Sequence, residues 1–262
     1  RRIARTSAIS PGLPGVRRIG RTNERGARGD VAGPAGTMED SVRADRYAEA
    51  AAWLARQQTG ARPLVASDEA LPSGLLARSE SGVLAGRLAA VDGCHGEVDH
   101  RDVFLLARAP QKELEEAFGR CRYLACDAGD LERIDELAGP RLARGHLENV
   151  ALRVRTGFSP EGAEGFDGTD GEGLARLVRQ SRNLAVRGMF LPLDPADDLC
   201  AQVRDAFSLV KKLRSDLPCM LHAFCLEGVL EPLAAGDPEL LKAVRMVASL
   251  NDTSLYAHFF VS

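Results

Sequence analysis

Lysine is scarce in this chain, and no segment has the composition that carries a protein into or across a membrane. Of the 34 basic residues only four are lysines, namely Lys112, Lys211, Lys212 and Lys242. No apolar run approaches the roughly 20 residues that a transmembrane helix needs. No basic segment followed by an apolar stretch and a small-residue cleavage site is present, so the sequence has no recognisable secretory signal peptide. We therefore expect a cytoplasmic protein without a membrane span, in which few positions can offer an amine.

Three common chemical signatures are also missing. No two cysteines form a C-x-x-C pair, which favours reduced, buried thiols over a disulfide framework or a zinc site. No G-x-G-x-x-G follows the first predicted strand and no G-x-S-x-G occurs, so a dinucleotide site and a serine-hydrolase elbow are disfavoured. The six cysteines are Cys94, Cys121, Cys126, Cys200, Cys219 and Cys225.

Two polar stretches resemble metal sites only superficially. The stretch DGCHGEVDHRD carries His95 and His100 close to Glu97, Asp99 and Asp102, but their spacing fits no standard ligand pattern. The stretch SPEGAEGFDGTDGEG is acidic and glycine-rich, yet it lacks the residue order of a calcium loop. We expect a solvated loop in the first case, a flexible loop at the C-terminal mouth of the fold in the second, and no metal site.

The net charge of −3 is unevenly distributed along the chain. Residues 1–37 contain eight arginines against Glu24 and Asp30, a charge of +6, so the remainder carries −9. An acidic body disfavours a nucleic-acid-binding surface. Residues 1–37 are also rich in glycine and poor in apolar side chains, and the first methionine is Met38. We expect 1–37 to be a disordered basic arm or a non-native leader, and 38–262 to be one folded domain.

Short apolar runs alternate with helix-length segments from about residue 63 onward. Seven strands separated in this way require parallel pairing through crossover helices. The sequence thus predicts an α/β fold, a single-domain parallel β/α (TIM-like) barrel, with an open doubly wound sheet as the second choice. The predicted strands are Pro63–Ala66, Val103–Ala107, Tyr123–Cys126, Val150–Val154, Ala185–Leu191, Cys219–Phe224 and Leu255–Val261. The predicted helices are 40–58, 69–77, 81–91, 111–119, 129–138, 171–180, 197–214 and 238–250.

Three stretches within residues 62–262 resemble one known family. They are DVFLLARAPQKELEEAFGRCRYLACDAGDLERIDELA, NVALRVRTGF and LARLVRQSRNLAVRGMFLPLDPADDLCAQVRDAFSLVKKLRSDLP. In this order they resemble the barrel domain of fold type III pyridoxal-phosphate proteins, which include alanine racemase and the ornithine and diaminopimelate decarboxylases. The tail CMLHAFCLEGVL is more similar to the racemases of this family than to its decarboxylases. The resemblance implies a cofactor held as a Schiff base by a lysine at the end of the first barrel strand.

The chain departs from this family at the positions that hold the cofactor, above all at the Schiff-base lysine. The first strand, PLVASD, contains no lysine, and all four lysines fall on predicted helices. Pro192 or a neighbour stands where the family commonly stacks a histidine on the cofactor ring. HAFCLEG is bulkier than the family's late phosphate-binding loop, and the second, all-β domain of the family is not found in this sequence. A covalently bound cofactor is therefore not expected.

Two residues match cofactor-binding positions of the family. Arg153 corresponds to an arginine that decarboxylase relatives direct at the cofactor, although a salt-bridged barrel arginine would give the same pattern. His222 ends the apolar strand predicted at Cys219–Phe224, where a cofactor contact is conceivable and a buried core histidine is the alternative.

The first functional hypothesis is a divergent relative of the pyridoxal-phosphate barrels that has no Schiff-base lysine and acts as a non-catalytic or regulatory binding protein. Pyridoxal phosphate, if bound, would be held noncovalently. The second is an active racemase or decarboxylase represented by an incomplete chain. The third is an unrelated barrel enzyme acting on a phosphorylated metabolite. Each of the three hypotheses implies a small-molecule ligand and no nucleic acid or membrane partner. Whether the protein forms a homodimer is left open.

Overall fold

The computed structural model describes residues 50, 52–54, 56–57, 59–67, 81–93 and 103–262. The predicted basic arm, the predicted helix at 69–77 and most of the histidine-containing loop lie outside these residues, so those expectations stay predictions. No helix of the described residues is long and apolar enough to cross a bilayer.

The described residues form a closed barrel of eight parallel strands. The strands lie in the order β4-β3-β2-β1-β9-β8-β7-β5, and a further pairing of β4 with β5 closes the ring. The short strand β6 pairs only with the end of β5. This closure confirms the predicted barrel over the open sheet. The strands are β1 Arg62–Ser67, β2 Gly82–Ala85, β3 Val103–Leu106, β4 Tyr123–Cys126, β5 Glu148–Arg155, β6 Phe166–Asp167, β7 Leu184–Pro192, β8 Ala223–Glu227 and β9 His258–Val261.

Helices connect the strands, and aspartates begin the longer ones. The carboxylate of Asp170 accepts the N–H of Gly173, and that of Asp198 accepts the N–H of Ala201. Asp237 caps the last helix, whose first residue is a proline. Such caps satisfy N–H groups that have no partner within the helix. The helices are α1 Leu88–Gly93, α2 Gln111–Ala117, α3 Leu131–Leu142, α4 Gly171–Gln180, α5 Leu199–Asp216, α6 Leu230–Ala234 and α7 Pro238–Ser254.

The interior of the barrel is filled by side chains. The Phe104 and Tyr123 rings stack with their centroids 4.8 Å apart, and Phe190 and Phe260 meet the Phe104 ring edge-on at 5.3 and 5.5 Å. A larger apolar layer packs between the outer faces of the strands and the helices. Because aromatic rings occupy the middle of the barrel, a ligand can be accommodated only toward its two ends.

Several predicted elements differ from the observed ones at their ends, and two of the differences change how the barrel is read. The helix predicted at 81–91 is wrong in its first half, because Gly82–Ala85 is the barrel strand β2 and only residues from Leu88 onward are helical. Both faces of β2 are buried, and a short apolar run without alternation cannot be distinguished from a buried helix by periodicity. The strand predicted at Cys219–Phe224 in fact begins at Ala223. Met220 is 62% exposed, so the early part of that apolar run does not belong to the barrel wall.

Candidate functional site

The C-terminal ends of the strands form the mouth of the barrel, where three charged side chains converge. Ala125, Ala151 and Cys225 belong to the interior cluster. Side chains alternate between the two faces of a strand, so the residues two positions further along also face inward. These residues are Asp127 after β4, Arg153 in β5 and Glu227 at the end of β8. We call them the mouth trio.

Arg153 lies between the two carboxylates of the mouth trio. Its Nε and Nη2 atoms donate to Oε2 of Glu227 at 3.2 and 3.0 Å. Its Nη1 atom is 3.7 Å from Oδ1 of Asp127. The side chains are only 15–21% exposed. The pair of Arg153 with Glu227 is therefore a hydrogen-bonded, largely desolvated ion pair rather than a solvated surface contact.

Burial raises the pKa of both carboxyl groups in the mouth trio. For Glu227, Arg153 opposes the effect of burial, while the nearby Asp127 carboxylate adds to it. For Asp127, Arg153 again opposes burial, and Glu164 and Asp130 raise the pKa further. Burial acts to lower the pKa of Arg153, but Glu227 and Asp127 outweigh it and raise that pKa. With both carboxyl groups ionised the trio carries a net charge of −1.

One carboxylate oxygen of Asp127, the atom that lies 3.7 Å from Nη1 of Arg153, has no hydrogen-bond donor among the described residues. This atom, Oδ1, is buried. Buried polar atoms are nearly always hydrogen-bonded, because an unsatisfied one costs free energy. This atom is therefore positioned to accept a hydrogen bond from a donor group on a ligand at the mouth.

The mouth offers no amine. Residues Ala66 and Ser67 end β1, and Ala66 shares the inward face of Leu64 and is exposed. All four lysines lie on helices, as the sequence predicts: Lys112 on α2, Lys211 and Lys212 on α5, and Lys242 on α7. Their side chains are exposed to solvent. A Schiff base at the end of the first strand has no amine from which to form.

The segment HAFCLEG does not form a phosphate-binding loop. Most of it is the strand β8, and Gly228 then turns the chain with φ of +87°. The N–H groups of Val229 and Leu230, which follow this turn, both donate to the carbonyl of Ser262 at 2.8 and 3.1 Å. Backbone N–H groups that could have bound an anion here already have a partner.

The two predicted cofactor contacts lie at opposite ends of the barrel. Arg153 is at the mouth, as expected from the end of its strand. His222 directly precedes β8 and therefore lies at the N-terminal end, because the observed strand begins four residues later than predicted. Burial lowers the pKa of His222, and Arg187, Arg122 and His258 lower it further. The structure thus does not bring Arg153 and His222 together.

Two members of the trio, Asp127 and Glu227, are not among the site residues that the sequence predicts. Both carboxylates directly end or follow apolar runs, YLACD and AFCLE. The carboxyl ends of parallel barrel strands meet at one face, where polar residues are commonly functional. That position is the signal by which both residues could have been found.

Comparisons with known proteins find the same fold at low sequence identity. No family model matches the chain, and no curated protein matches it. Lysine decarboxylase from Selenomonas ruminantium is 14% identical with a TM-score of 0.60, covering 83% of this chain and 58% of that one. Diaminopimelate decarboxylase from Helicobacter pylori, complexed with L-lysine, is 14% identical with a TM-score of 0.60, and the match covers 84% of this chain and 61% of that one. The arginine decarboxylase of Paramecium bursaria Chlorella virus, bound to agmatine, is 8% identical with a TM-score of 0.60, and the match covers 86% of this chain and 67% of that one.

These neighbours define the class of barrel. The fold is that of the barrel in the fold type III pyridoxal-phosphate-dependent decarboxylases, in agreement with the resemblance seen in the sequence. One solved neighbour, SrLDC, is in complex with PLP and cadaverine. The chain spans about three fifths of the length of the solved proteins that it matches. At these identities the likeness establishes the fold and leaves activity and ligand to be proposed.

Proposed function

We propose that this chain is a divergent member of the pyridoxal-phosphate barrel group that binds a small molecule without catalysing a reaction on it. One observation carries the proposal: the barrel mouth holds Asp127, Arg153 and Glu227 and has no lysine. The group's chemistry depends on an amine that forms a Schiff base with the cofactor. A carboxylate–arginine trio can bind and orient a ligand, but it cannot form an imine.

The residues of the mouth do not fit covalently bound pyridoxal phosphate. Ala66 and Ser67 end the first strand, where the group requires a lysine. The N–H groups of Val229 and Leu230 are hydrogen-bonded to Ser262 and therefore do not offer donors to a phosphate. We therefore propose that pyridoxal phosphate, if it binds, is held noncovalently, with Arg153 as its cationic contact. No chemical step is assigned to it.

The charges of the mouth trio favour a ligand that carries an amino group. The Oδ1 of Asp127 accepts no hydrogen bond from the described residues and can accept one from an ammonium group, and with both carboxyl groups ionised the net charge of −1 attracts a cation. Arg153 can in turn contact a carboxylate of the same ligand. Three of the molecules bound by the solved neighbours, L-lysine, agmatine and cadaverine, are amines. We propose an amino acid or small amine as ligand of a cytoplasmic protein, with no nucleic acid or membrane partner.

Borohydride trapping tests the proposal directly. The full chain is incubated with stoichiometric pyridoxal phosphate, its absorbance is recorded before and after borohydride, and peptides containing the four lysines are mapped. We expect no stoichiometric pyridoxyl adduct and no racemase or decarboxylase turnover above background. One stoichiometric adduct, particularly on Lys112 or Lys242, together with turnover, would instead support an active enzyme and overturn the non-catalytic proposal.

A further inference from the structure

The N-terminal end of the barrel, opposite the mouth, brings together two arginines and two histidines from several strands. Arg187 lies in β7, His222 directly precedes β8, His258 begins β9 and Arg122 directly precedes β4. The N–H of His222 donates to the carbonyl of Arg187 at 2.7 Å, and the N–H of His258 donates to the carbonyl of His222 at 2.8 Å. Three of the four residues thus lie side by side. We call the four residues the cationic end cluster.

No carboxylate of the described residues forms an ion pair with the cationic end cluster. By contrast, Arg141 at the same end of the barrel is paired with Glu148. Within the cluster, the Nε of Arg122 donates to the Tyr123 hydroxyl, a neutral group. Apart from burial, every contribution to the low pKa of His222 comes from a cluster member: Arg187, Arg122 and His258 all act in the same direction. Among the described residues, the positive charges of Arg187 and Arg122 therefore act on His222 without a carboxylate paired to either arginine.

A β-bulge places Arg187 in the cationic end cluster. Val150 of β5 pairs with Val186 of β7, and the next residue, Ala151, pairs with Gly188, so Arg187 is an extra residue in the strand. A bulge redirects a side chain and is common next to functional sites. Gly188 permits this close approach, because a Cβ atom there would lie 2.8 Å from the Cβ of Ala151. The strand thus departs from regular pairing at the residue that carries an uncompensated charge.

We infer that the cationic end cluster is a binding site for a small oxyanion with two or more negative charges, carried by phosphate or carboxylate groups. Arg187 and Arg122 donate hydrogen bonds to its oxygens, and His222 adds a further donor in its protonated form. The anion supplies the negative charge that no described carboxylate provides to these four residues, since Glu148 at this end is paired with Arg141. This site is separate from the mouth trio, so it stands whether or not the proposed ligand binds at the mouth.

Calorimetric titration of the full chain tests this site, with pyrophosphate in one arm and citrate in the other at constant ionic strength. We expect saturable binding of at least one, and the tighter one identifies the group that the site prefers. Arg187→Gln should weaken binding at least about tenfold, or about 1.4 kcal/mol. Arg204→Gln serves as the matched control, because Arg204 is an exposed arginine on α5 outside the cluster. It should leave the affinity unchanged.

A second measurement separates a site from general charge attraction. The His222 ring is titrated by NMR, with its signal assigned from His222→Asn. We expect the bound oxyanion to raise the pKa of His222, because its negative charge opposes the effect of Arg187 and Arg122, which lower that pKa. Absence of saturable binding for both anions, or equal affinity in Arg187→Gln, would overturn the inference. If circular dichroism finds Arg187→Gln unfolded, Arg122→Gln takes its place with the same expected loss.

Discussion

Arg153 is the residue on which the charge balance of the barrel mouth depends. It separates Glu227 from Asp127 and is hydrogen-bonded to the first of them. Removing one partner of a largely buried ion pair leaves the other charge uncompensated, which is far more costly than losing a solvated pair. Arg153 is therefore a structural as well as a binding residue, and its two roles can be separated by experiment.

Replacing Arg153 by Met should destabilise the protein. We expect Arg153→Met to lower the free energy of unfolding by about 3 kcal/mol, because Glu227 and Asp127 then face each other without a cation. Urea denaturation followed by circular dichroism measures the change. The matched control is Lys112→Met, which removes an exposed pair with Glu116 at 3.8 Å and should have little effect. Equal free energies of unfolding for Arg153→Met and wild type would contradict the expected contribution of this buried ion pair to stability.

The raised pKa of Glu227 predicts a pH dependence with a definite sign. A carboxyl group whose pKa is raised on folding binds its proton more tightly in the folded state. Its contribution to stability is complete below the unfolded value of about 4.5 and is lost as the pH rises through the higher folded value. Relative to Glu227→Gln, the wild type should therefore gain stability as the pH falls from 7 toward 4. Urea melts at several pH values test this, and a difference that is constant or shrinks on acidification would refute it.

At the scale of elements, the β5–β7 pairing contains a position with no room for a side chain. The bulge at Arg187 requires Gly188 beside Ala151, where a side chain has no room. We expect Gly188→Ala to lower the free energy of unfolding by about 2 kcal/mol through overpacking. Gly157→Ala is the control, since nothing lies within 4 Å of a Cβ at that position. Similar melting curves for the two variants would show that β5 and β7 can move apart to accommodate the added methyl group without loss of stability.

At the scale of the whole molecule, the barrel ring is complete within the part of the chain that the structure describes. Eight strands within residues 62–261 complete the ring. The sequence predicts too little apolar surface in 1–37 to offset the entropy of ordering them. Deleting these residues should therefore leave the melting temperature nearly unchanged in a thermal scan of the two proteins. A decrease of many degrees would indicate that the segment packs on the barrel.

Much of the fold was determined by local sequence patterns. The helix at Gly171–Gln180 occurs as predicted, and the strand at Tyr123–Cys126 does as well. Strand-length apolar runs separated by helix-length segments permit few arrangements other than a parallel barrel or an open sheet. The scarcity of lysine is likewise a property of the sequence alone. Because every lysine falls in a segment with helical periodicity, the sequence by itself disfavours a Schiff base at the first strand.

Only the tertiary structure decided where the charges meet. Asp127, Arg153 and Glu227 are up to 100 residues apart, and closure of the barrel brings them together at its mouth. The run from Cys219 to Phe224 could not reveal that its strand begins at Ala223, because strand ends are set by pairing with β7 and β9. That shift places His222 among cations at the opposite end from Arg153. Local pattern thus determines the elements of this protein, whereas register and closure determine which side chains form its sites.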